Sequence, residues 1–279
     1  MRASKAIIPT GAATSTRLDA WIALYHLWVM IIIVRVLAFV IGLFIAPLAV
    51  HALWWAARDD IAPNWRNANW ASANLLPKPS EKADALVHIY AARVGRWRGI
   101  FAHHSWIVVK DAGATRYTRY DKVGWGSPVR TDGWPADARW FGNMPQLILA
   151  IEGAEAERLI PKIRQAVATY PYSGWGEYRA WPGPNSNTFV AHIMRSVPEL
   201  GAALPPTAIG KDWLPTGQIL GWTPSRTGFQ ISLGGYVGLA IGWVEGIEFN
   251  FLGLVAGIDF RRPAIKIPGW GRLGFEPVT

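Results

Sequence analysis

The chain has 279 residues, 51% of them hydrophobic, which is enough for one large folded domain with an appendage. Its 28 Lys and Arg residues outnumber its 19 Asp and Glu residues, but they are scattered singly, and this disfavours a nucleic-acid partner. The chain has no cysteine, which excludes disulfides, thiolate metal sites and a thiol nucleophile.

An uncharged apolar run over residues 36–57 predicts a transmembrane helix, because as a helix it is long enough to cross the ~30 Å hydrocarbon layer. The shorter apolar stretch 21–34 precedes it and is separated from it by Arg35. This stretch is interpreted as an interfacial segment or as part of one tilted helix, with a re-entrant hairpin as a further alternative. A buried core helix is the alternative for the run itself.

The charges that flank the run predict its orientation. Basic residues precede it, at Arg2, Lys5, Arg17 and Arg35, whereas the basic residues that follow are accompanied by Asp59 and Asp60. The positive-inside bias therefore places the N-terminus in the cytoplasm. Because no small-residue cleavage site follows, we expect an uncleaved, single-pass anchor in the inner (cytoplasmic) membrane, with the C-terminal domain in the periplasm.

The chain divides into five predicted parts. These are a cytoplasmic and interfacial segment (1–35), the transmembrane anchor (36–57), a polar, turn-rich linker (58–82), an α+β domain (83–215) and a Gly-rich β extension (216–279). Recurrent glycine and alternating apolar residues predict short hairpins in the extension. We expect it to pack on the main domain, and the alternative is that its apolar strands rest on the membrane surface.

Within the α+β domain, short runs of β-branched and aromatic residues predict strands at 86–91, 104–110, 116–122 and 146–152. Residues 154–169 predict an amphipathic helix, in which Pro161 marks a later start or a bend. Residues 188–197 predict a second helix, with Phe189, Ile193 and Val197 on one face and Pro198 as its stop.

The turn before the second helix is the most informative segment. WPGPNSNTF, residues 181–189, is a rigid turn that delivers Asn185, Ser186 and Asn187 to the helix N-terminus. There the helix dipole and unpaired backbone N–H groups would stabilise an oxyanion, which favours a nucleophile at this position. Ser and Asn are also preferred N-cap residues, so plain capping is the alternative.

Several motifs resemble known families. NSNTFV is similar to the NC-x-x-F motif that begins the catalytic helix of circularly permuted relatives of the NlpC-type cell-wall peptidases, with Ser186 at the cysteine position. HSWIVVK, from His104, is similar to the strand that carries the histidine of that group. RGIFAHHSW, YTRYDKVGW, YPY and WPGPNSNTFVAHI resemble the bacterial family called domain of unknown function 3750, across about residues 65 to 275.

The resemblance implies a fold class and a catalytic set. It implies a permuted papain-like (NlpC-like) α+β domain with an antiparallel sheet and packed helices. Ser186 would be the nucleophile, His104 the general base and Asp121 the residue that orients the histidine, with Tyr117 and Tyr120 as alternatives for the third role. Because serine stands where the family pattern has a thiolate, loss of activity is an equal expectation.

A second set of residues is predicted to contact the substrate: Trp181, Asn185, Asn187, Tyr120 and Lys211. Lys211 follows a glycine in TAIGKDWLP, and its alternative role is a loop ion pair with Asp212. His88, His103 and His192 are interpreted as structural histidines. The sequence has no HExxH motif, clustered acidic ligands or phosphate-cradling glycine motif, so we predict no metal site and no cofactor.

These patterns lead to one hypothesis with two alternatives. The hypothesis is a membrane-anchored periplasmic hydrolase or transferase that uses Ser186 on an amide or acyl group of cell-envelope material. The first alternative is an inactive domain that binds a peptide, glycan or lipid in the same groove, lined by Trp181 and neighbouring aromatics. The second is an envelope scaffold whose C-terminal strands join a partner. The expected partners are therefore the lipid bilayer and an envelope substrate.

Overall fold

The computed structural model describes residues 12–215 and 217–274. Arg2 and Lys5, which contribute to the predicted orientation, lie outside the described residues. The chain divides into two compact units, one ending at Gly42 and the other beginning at Leu43.

The N-terminal segment is helical throughout its described length. Helix α1 (Ala12–Val40) runs past Arg35 without a break, so residues 21–34 belong to one helix and not to a separate interfacial segment. A π-helical turn (Ile41–Ile45) leads into α2 (Ala46–Ala56). The turn lies just before Pro47, which has no N–H to donate to the preceding turn. Among the described residues, one helix, Asp19–Ala56, is long and apolar enough to span a membrane.

A five-stranded antiparallel sheet forms the centre of the predicted α+β domain, with strand order β4-β3-β2-β1-β5. Its strands are β1 (Leu86–Arg93), β2 (His103–Lys110), β3 (Thr118–Lys122), β4 (Val129–Thr131) and β5 (Gln146–Glu152). The four predicted strands are present, and β5 has the predicted bounds. The edge strand β4 was not predicted because three residues are too few to show an alternating pattern.

Two helices cover one face of this sheet: α3 (Gly153–Ala168) and α4 (Ser186–Ser196). Val87, Ile89 and Ile107 of the sheet pack against Leu159 of α3 and Phe189 of α4 in the main core. Helix α3 continues through Pro161, so the proline does not delay its start. The other face of the sheet carries an aromatic core that includes Tyr90, Trp106 and Trp140. Together these elements make the mixed α+β fold that was predicted.

The predicted linker, residues 58–82, is largely irregular but is bonded to the domain. Ser72 pairs with Ala138 in an isolated bridge, and its hydroxyl donates to the buried carboxylate of Asp137 at 2.6 Å. The backbone N–H of Leu75 donates to the same carboxylate at 2.7 Å. This segment is therefore part of the domain surface and not a free tether.

Helix α2 also packs into the domain. The Trp55 side chain is 3% exposed, and its indole N–H donates to the carbonyl of Arg96 at 3.0 Å. The ring lies so close over Gly99 that a Cβ there would meet it at 2.2 Å, so only glycine fits at this position. The last turns of the helix are thus fixed to the folded domain.

The C-terminal part is a second antiparallel sheet of seven strands in sequential order, which confirms the predicted hairpins. Its strands are β6 (Leu220–Trp222), β7 (Gly228–Leu233), β8 (Val237–Gly242), β9 (Gly246–Phe251), β10 (Leu254–Asp259), β11 (Ala264–Ile267) and β12 (Gly271–Gly274). Each strand pairs with its neighbour along the chain, and so the sheet is a continuous meander.

Candidate functional site

A cavity of about 750 Å³ lies between the start of β2, the start of α4 and the C-terminal sheet. Most of its wall is apolar and aromatic, with contributions from Leu48 of α2, Trp97, Trp140, Trp181 and Leu254. Its polar wall contains His103, His104, Asn185, Ser186 and Asn187. An apolar cavity with a few convergent polar groups is typical of a ligand site.

Ser186 is the first residue of α4, and Asn185 is its N-cap. The Asn185 side-chain oxygen accepts from the N–H groups of Asn187 at 2.9 Å and Thr188 at 3.1 Å. Its amide nitrogen donates to the carbonyls of Ala180 and Ile209. The cap therefore occupies two N–H groups of the first turn, which removes them from the predicted oxyanion hole. The remaining N–H, that of Ser186, hydrogen bonds with the phenol oxygen of Tyr178 and would have to leave it to reach an oxyanion.

Asn187 ties the start of α4 to β2. Its amide nitrogen donates to the carbonyl of His103 at 2.9 Å, and its oxygen accepts from the Ser105 hydroxyl at 2.8 Å. These two partners flank His104, so the bonds hold Ser186 and His104 on adjoining parts of the cavity wall. The amide nitrogen also donates to the carbonyl of Ile209 at 2.8 Å, so its two N–H groups and the side-chain oxygen are engaged, and we assign Asn187 a positioning role.

His104 is held by a buried carboxylate. Its Nε2 lies 2.7 Å from Oδ1 of Asp121, and Arg119 donates to both oxygens of the same carboxylate at 2.6 and 2.8 Å. The three side chains are 0–3% exposed. The guanidinium of Arg119 also lies 4.0 Å from the centroid of the Trp106 ring. The charge of Asp121 is thus matched by a fixed cation, so burial does not force it to become neutral.

The electrostatics of this group favour a neutral imidazole. Burial alone raises the pKa of Asp121, but the charge and hydrogen bonds of Arg119 and His104 outweigh it and lower that pKa to about 2. Burial lowers the pKa of His104, partly offset by Asp121. A carboxylate that accepts from Nε2–H leaves Nδ1 as the basic nitrogen of the neutral ring. The ring also stacks on Trp140, with centroids 3.7 Å apart and a 6° interplanar angle.

Tyr178 supplies a further polar group to the cavity. Burial raises the pKa of its phenol, while hydrogen bonding with the Ser186 side chain and backbone acts in the opposite direction. The phenol is therefore protonated at neutral pH and able to donate beside Ser186. In the part of the chain that the structure describes, no hydrogen bond joins Ser186 to His104. Base-assisted attack therefore requires the Ser186 hydroxyl and the His104 ring to come within hydrogen-bond distance when a substrate binds.

One family model matches part of the chain. Residues 84–213 match the family model described as protein of unknown function (DUF3750). The match supports the DUF3750 family for this segment. No curated protein and no solved structure matches the chain.

The DUF3750 segment contains all the residues predicted for the site, but the structure does not bring all of them to the cavity. Trp181 lines it, and its indole N–H donates to the carbonyl of Leu252 at 2.9 Å. Tyr120 packs against the main core on the other side of the sheet. Lys211 is 2% exposed and pairs with Asp212 and Glu248, so it joins an ionic network and does not line the cavity.

Three residues of the site went unnoticed in the sequence: Arg119, Trp140 and Tyr178. A signal for Arg119 was available, because it stands two residues before Asp121 in a strand and therefore points to the same face. Trp140 and Tyr178 lie in irregular segments, where no periodicity indicates the direction of a side chain. Their roles depend on tertiary packing alone.

Three histidines whose pKa values are lowered predict that the domain loses stability in mild acid. Burial lowers the pKa of His88 to about 4 and lowers the pKa values of His104 and His192. A depressed pKa in the folded state means that protonation favours unfolding. The stabilisation is therefore fully present above the unfolded pKa of about 6.5 and declines as pH falls below it.

We expect the thermal midpoint of the detergent-solubilised chain to fall steadily between about pH 6.5 and pH 4. His88 offers the matched variant, because its ring is buried and its Nδ1 contacts the Tyr90 hydroxyl at 3.0 Å. A His88→Gln variant cannot take up this proton, so its midpoint should depend less on pH. A midpoint that does not change over this range would contradict the prediction.

Proposed function

We propose that the chain is a membrane-anchored serine hydrolase or acyltransferase that acts on an amide or acyl group of cell-envelope material. The observation that carries the proposal is the pairing, in one cavity, of a hydroxyl at a helix N-terminus with an imidazole oriented by a buried carboxylate. Ser186 is the nucleophile, His104 the general base and Asp121 the orienting residue.

The proposed mechanism follows from which of these groups can accept a proton and which can donate a hydrogen bond. Nδ1 of His104 accepts the Ser186 hydroxyl proton as Oγ attacks the substrate carbonyl. The N–H of Ser186 and the phenol of Tyr178 donate to the resulting oxyanion. His104 then returns the proton to the leaving amine or alcohol as the C–N or C–O bond breaks. Water, or an acceptor alcohol or amine, next attacks the acyl-serine with the same base and restores Ser186.

The permuted papain-like fold is part of the proposal. Its support is the chain order, in which the histidine strand precedes the nucleophile helix, and the packing of that helix on an antiparallel sheet. The anchor is the helix Asp19–Ala56, which is long and apolar enough to span a membrane. The bias of basic residues towards the N-terminal side supports a cytoplasmic N-terminus and a periplasmic domain.

A binding domain without turnover is the second candidate, and two observations favour it. The Asn185 and Asn187 amides are occupied by structural bonds, and the cavity wall is mainly aromatic and aliphatic. Such a cavity binds an apolar group without any need for chemistry. A serine hydroxyl also ionises much less readily than a cysteine thiol. A site whose family pattern has a thiolate nucleophile can therefore be inactive when serine replaces the cysteine.

A fluorophosphonate probe with an alkyl chain separates the two candidates. We expect it to label the purified chain at Ser186, because base-assisted attack on phosphorus leaves a stable adduct. Ser186→Ala should abolish the labelling. Ser196→Ala is the matched control, since Ser196 is exposed at the other end of α4 and bonds only the His192 carbonyl. An unlabelled Ser186 in a folded chain would favour the binding domain.

A further inference from the structure

One face of the C-terminal sheet is apolar in every strand. Residues that pair across strands share a face, and the register joins Phe229 to Ile241 and Phe249 to Leu239. Following this register from β6 to β12, every side chain on the face is aliphatic or aromatic. We call this surface the apolar face.

The apolar face is largely exposed, and most polar residues of the same strands are buried. In β7, Phe229, Ile231 and Leu233 are 55, 48 and 52% exposed, whereas Gln230 and Ser232 between them are 1% exposed. This reverses the usual antiparallel sheet, which places apolar side chains inward and polar ones in water. Seven strands at about 4.8 Å spacing and about 17 Å long give the face an area on the order of 500 Å².

Specific bonds on the inner face fix this orientation. Gln230 donates to the carbonyl of Asp212 at 2.9 Å, and Glu248 pairs with Lys211 and Lys266. Asn250 donates to the Asp212 carboxylate at 3.2 Å. A shift of one residue in register would bury the apolar side chains but would expose all of these bonds. The outward direction of the apolar face is therefore built into the fold.

The apolar face is continuous with the end of the membrane-compatible helix. Phe44 contacts Phe251 with ring centroids 5.5 Å apart, and the Trp270 indole N–H donates to the Pro47 carbonyl at 3.0 Å. The helix itself leaves Leu53 74% exposed beside the domain. An apolar helix surface and an apolar sheet surface thus meet at the same place.

The length of the helix points to the same environment for both surfaces. Its 38 residues from Asp19 to Ala56 are well beyond the ~20 that are needed to cross the hydrocarbon layer. The surplus turns are the ones fixed to the domain through Trp55 and Phe44. No polar linker separates these turns from the apolar residues that precede them, so the domain begins where the apolar run ends.

One end of the seven-stranded sheet carries tryptophan and arginine, which are residue types typical of a membrane interface. In a meander, the turns at 223–227, 243–245 and 260–263 lie at one end, and the contact of Trp243 with Phe260 at 6.1 Å confirms this. Arg226, Arg261 and Arg262 are exposed in the same turns. Tryptophan and arginine are favoured at the headgroup level, where an apolar stem and a polar tip are both satisfied.

We infer that the apolar face of the C-terminal sheet rests in the headgroup and upper acyl region of the bilayer that holds the helix. The sheet lies on the membrane and does not cross it, because its two open edges need water or headgroups for their backbone groups. The inference shares the membrane anchor with the proposed function and is independent of the chemistry at Ser186.

The absence of native cysteine permits a direct test by spin labelling. Single-cysteine variants Ile231→Cys, Phe249→Cys and Ile265→Cys place a nitroxide on three strands of the face, at positions about half exposed. The full chain is reconstituted into phosphatidylglycerol/phosphatidylethanolamine vesicles. Collision of each label with oxygen, which concentrates in lipid, and with a water-soluble nickel chelate is then measured. We expect oxygen accessibility to exceed nickel accessibility at all three positions.

Two further labels provide the controls. Arg116→Cys lies in the exposed turn between β2 and β3, at the end of the five-stranded sheet away from the cavity, and its nickel accessibility should exceed its oxygen accessibility. Ile33→Cys in the helix should show higher oxygen than nickel accessibility. Nickel accessibility on the face would overturn the inference, and a label protected from both reagents would overturn it in favour of a second copy or another protein. A water-exposed Ile33 would instead remove the membrane anchor. Labelling of Ser186 by the fluorophosphonate is scored separately.

Discussion

Replacing His104 with alanine is expected to lower turnover of a long-chain p-nitrophenyl ester by about 10²- to 10⁴-fold, the range for loss of a general base. The effect is large because a serine hydroxyl is a weak nucleophile until its proton is removed during attack. Hydrolysis is measured by release of nitrophenol from the detergent-solubilised chain. The residual rate should be insensitive to pH near neutrality, because the titrating base is gone.

The matched control is His192→Ala. His192 is a half-buried histidine whose pKa is also lowered by burial, but it lies on the side of α4 that contacts Tyr170 and does not line the cavity. We therefore expect its kcat/KM to stay close to that of the parent chain. Equal losses in the two variants would point to destabilisation, and retained turnover in His104→Ala would remove the proposed mechanism.

The pH profile of the parent chain gives a second readout of the same base. Burial lowers the pKa of His104, so the ring stays neutral, and able to accept a proton, below its ordinary value of about 6.5. The acid limb of kcat/KM should therefore lie below pH 6.5. An acid limb above that value would indicate that another group limits the reaction.

The sequence predicted the local structure of the DUF3750 segment well, for a physical reason. Strands β1 and β2 are buried runs that contain β-branched and aromatic residues, and α4 begins at a turn of prolines and a glycine, so local preference and tertiary packing agree. The grouping of Ser186, His104 and Asp121 came instead from the family resemblance, because no local pattern relates residues so far apart in the chain. The pairing of Asp121 with Arg119 follows from strand periodicity, although it was not noticed.

The placement of Lys211 shows where sequence reasoning ends. A lysine after a glycine in a turn is ordinarily exposed, which suits either a substrate contact or a surface ion pair. Its burial depends on Glu248, far along the chain, and no local pattern predicts a contact of that kind. The C-terminal sheet shows the same limit, because alternation reveals two faces but not which one is covered.

Replacing Glu248 with glutamine is expected to lower the free energy of unfolding by about 3–5 kcal/mol, because it leaves two buried lysines without their shared carboxylate. Glu248 is 2% exposed, lies 2.5 Å from Lys266 and also pairs with Lys211. Burial opposes the charge of Lys211, but Asp212 and Glu248 outweigh it and raise its pKa above the usual value. Glu248→Gln removes one of the two carboxylates that offset the burial of Lys211.

The loss can be measured by denaturant unfolding of the full chain in detergent, followed by near-ultraviolet circular dichroism of the tryptophans. Glu157→Gln is the matched control, since Glu157 is exposed on α3 and its change should stay within about 0.5 kcal/mol. The double variant Glu248→Gln, Lys266→Met should recover part of the stability, because it removes one unpaired cation. A double variant less stable than Glu248→Gln would contradict this account.

The same measurement decides how the C-terminal sheet belongs to the molecule. Lys211 and Asp212 lie in the DUF3750 segment, whereas Glu248 and Lys266 lie in the C-terminal sheet, so the network joins the two. If the sheet folds as one unit with the segment, Glu248→Gln should lower the stability of the whole domain in a single transition. A separate transition at lower denaturant concentration would mean that the C-terminal sheet unfolds on its own. The ionic network would then fix the orientation of the sheet without stabilising the DUF3750 segment.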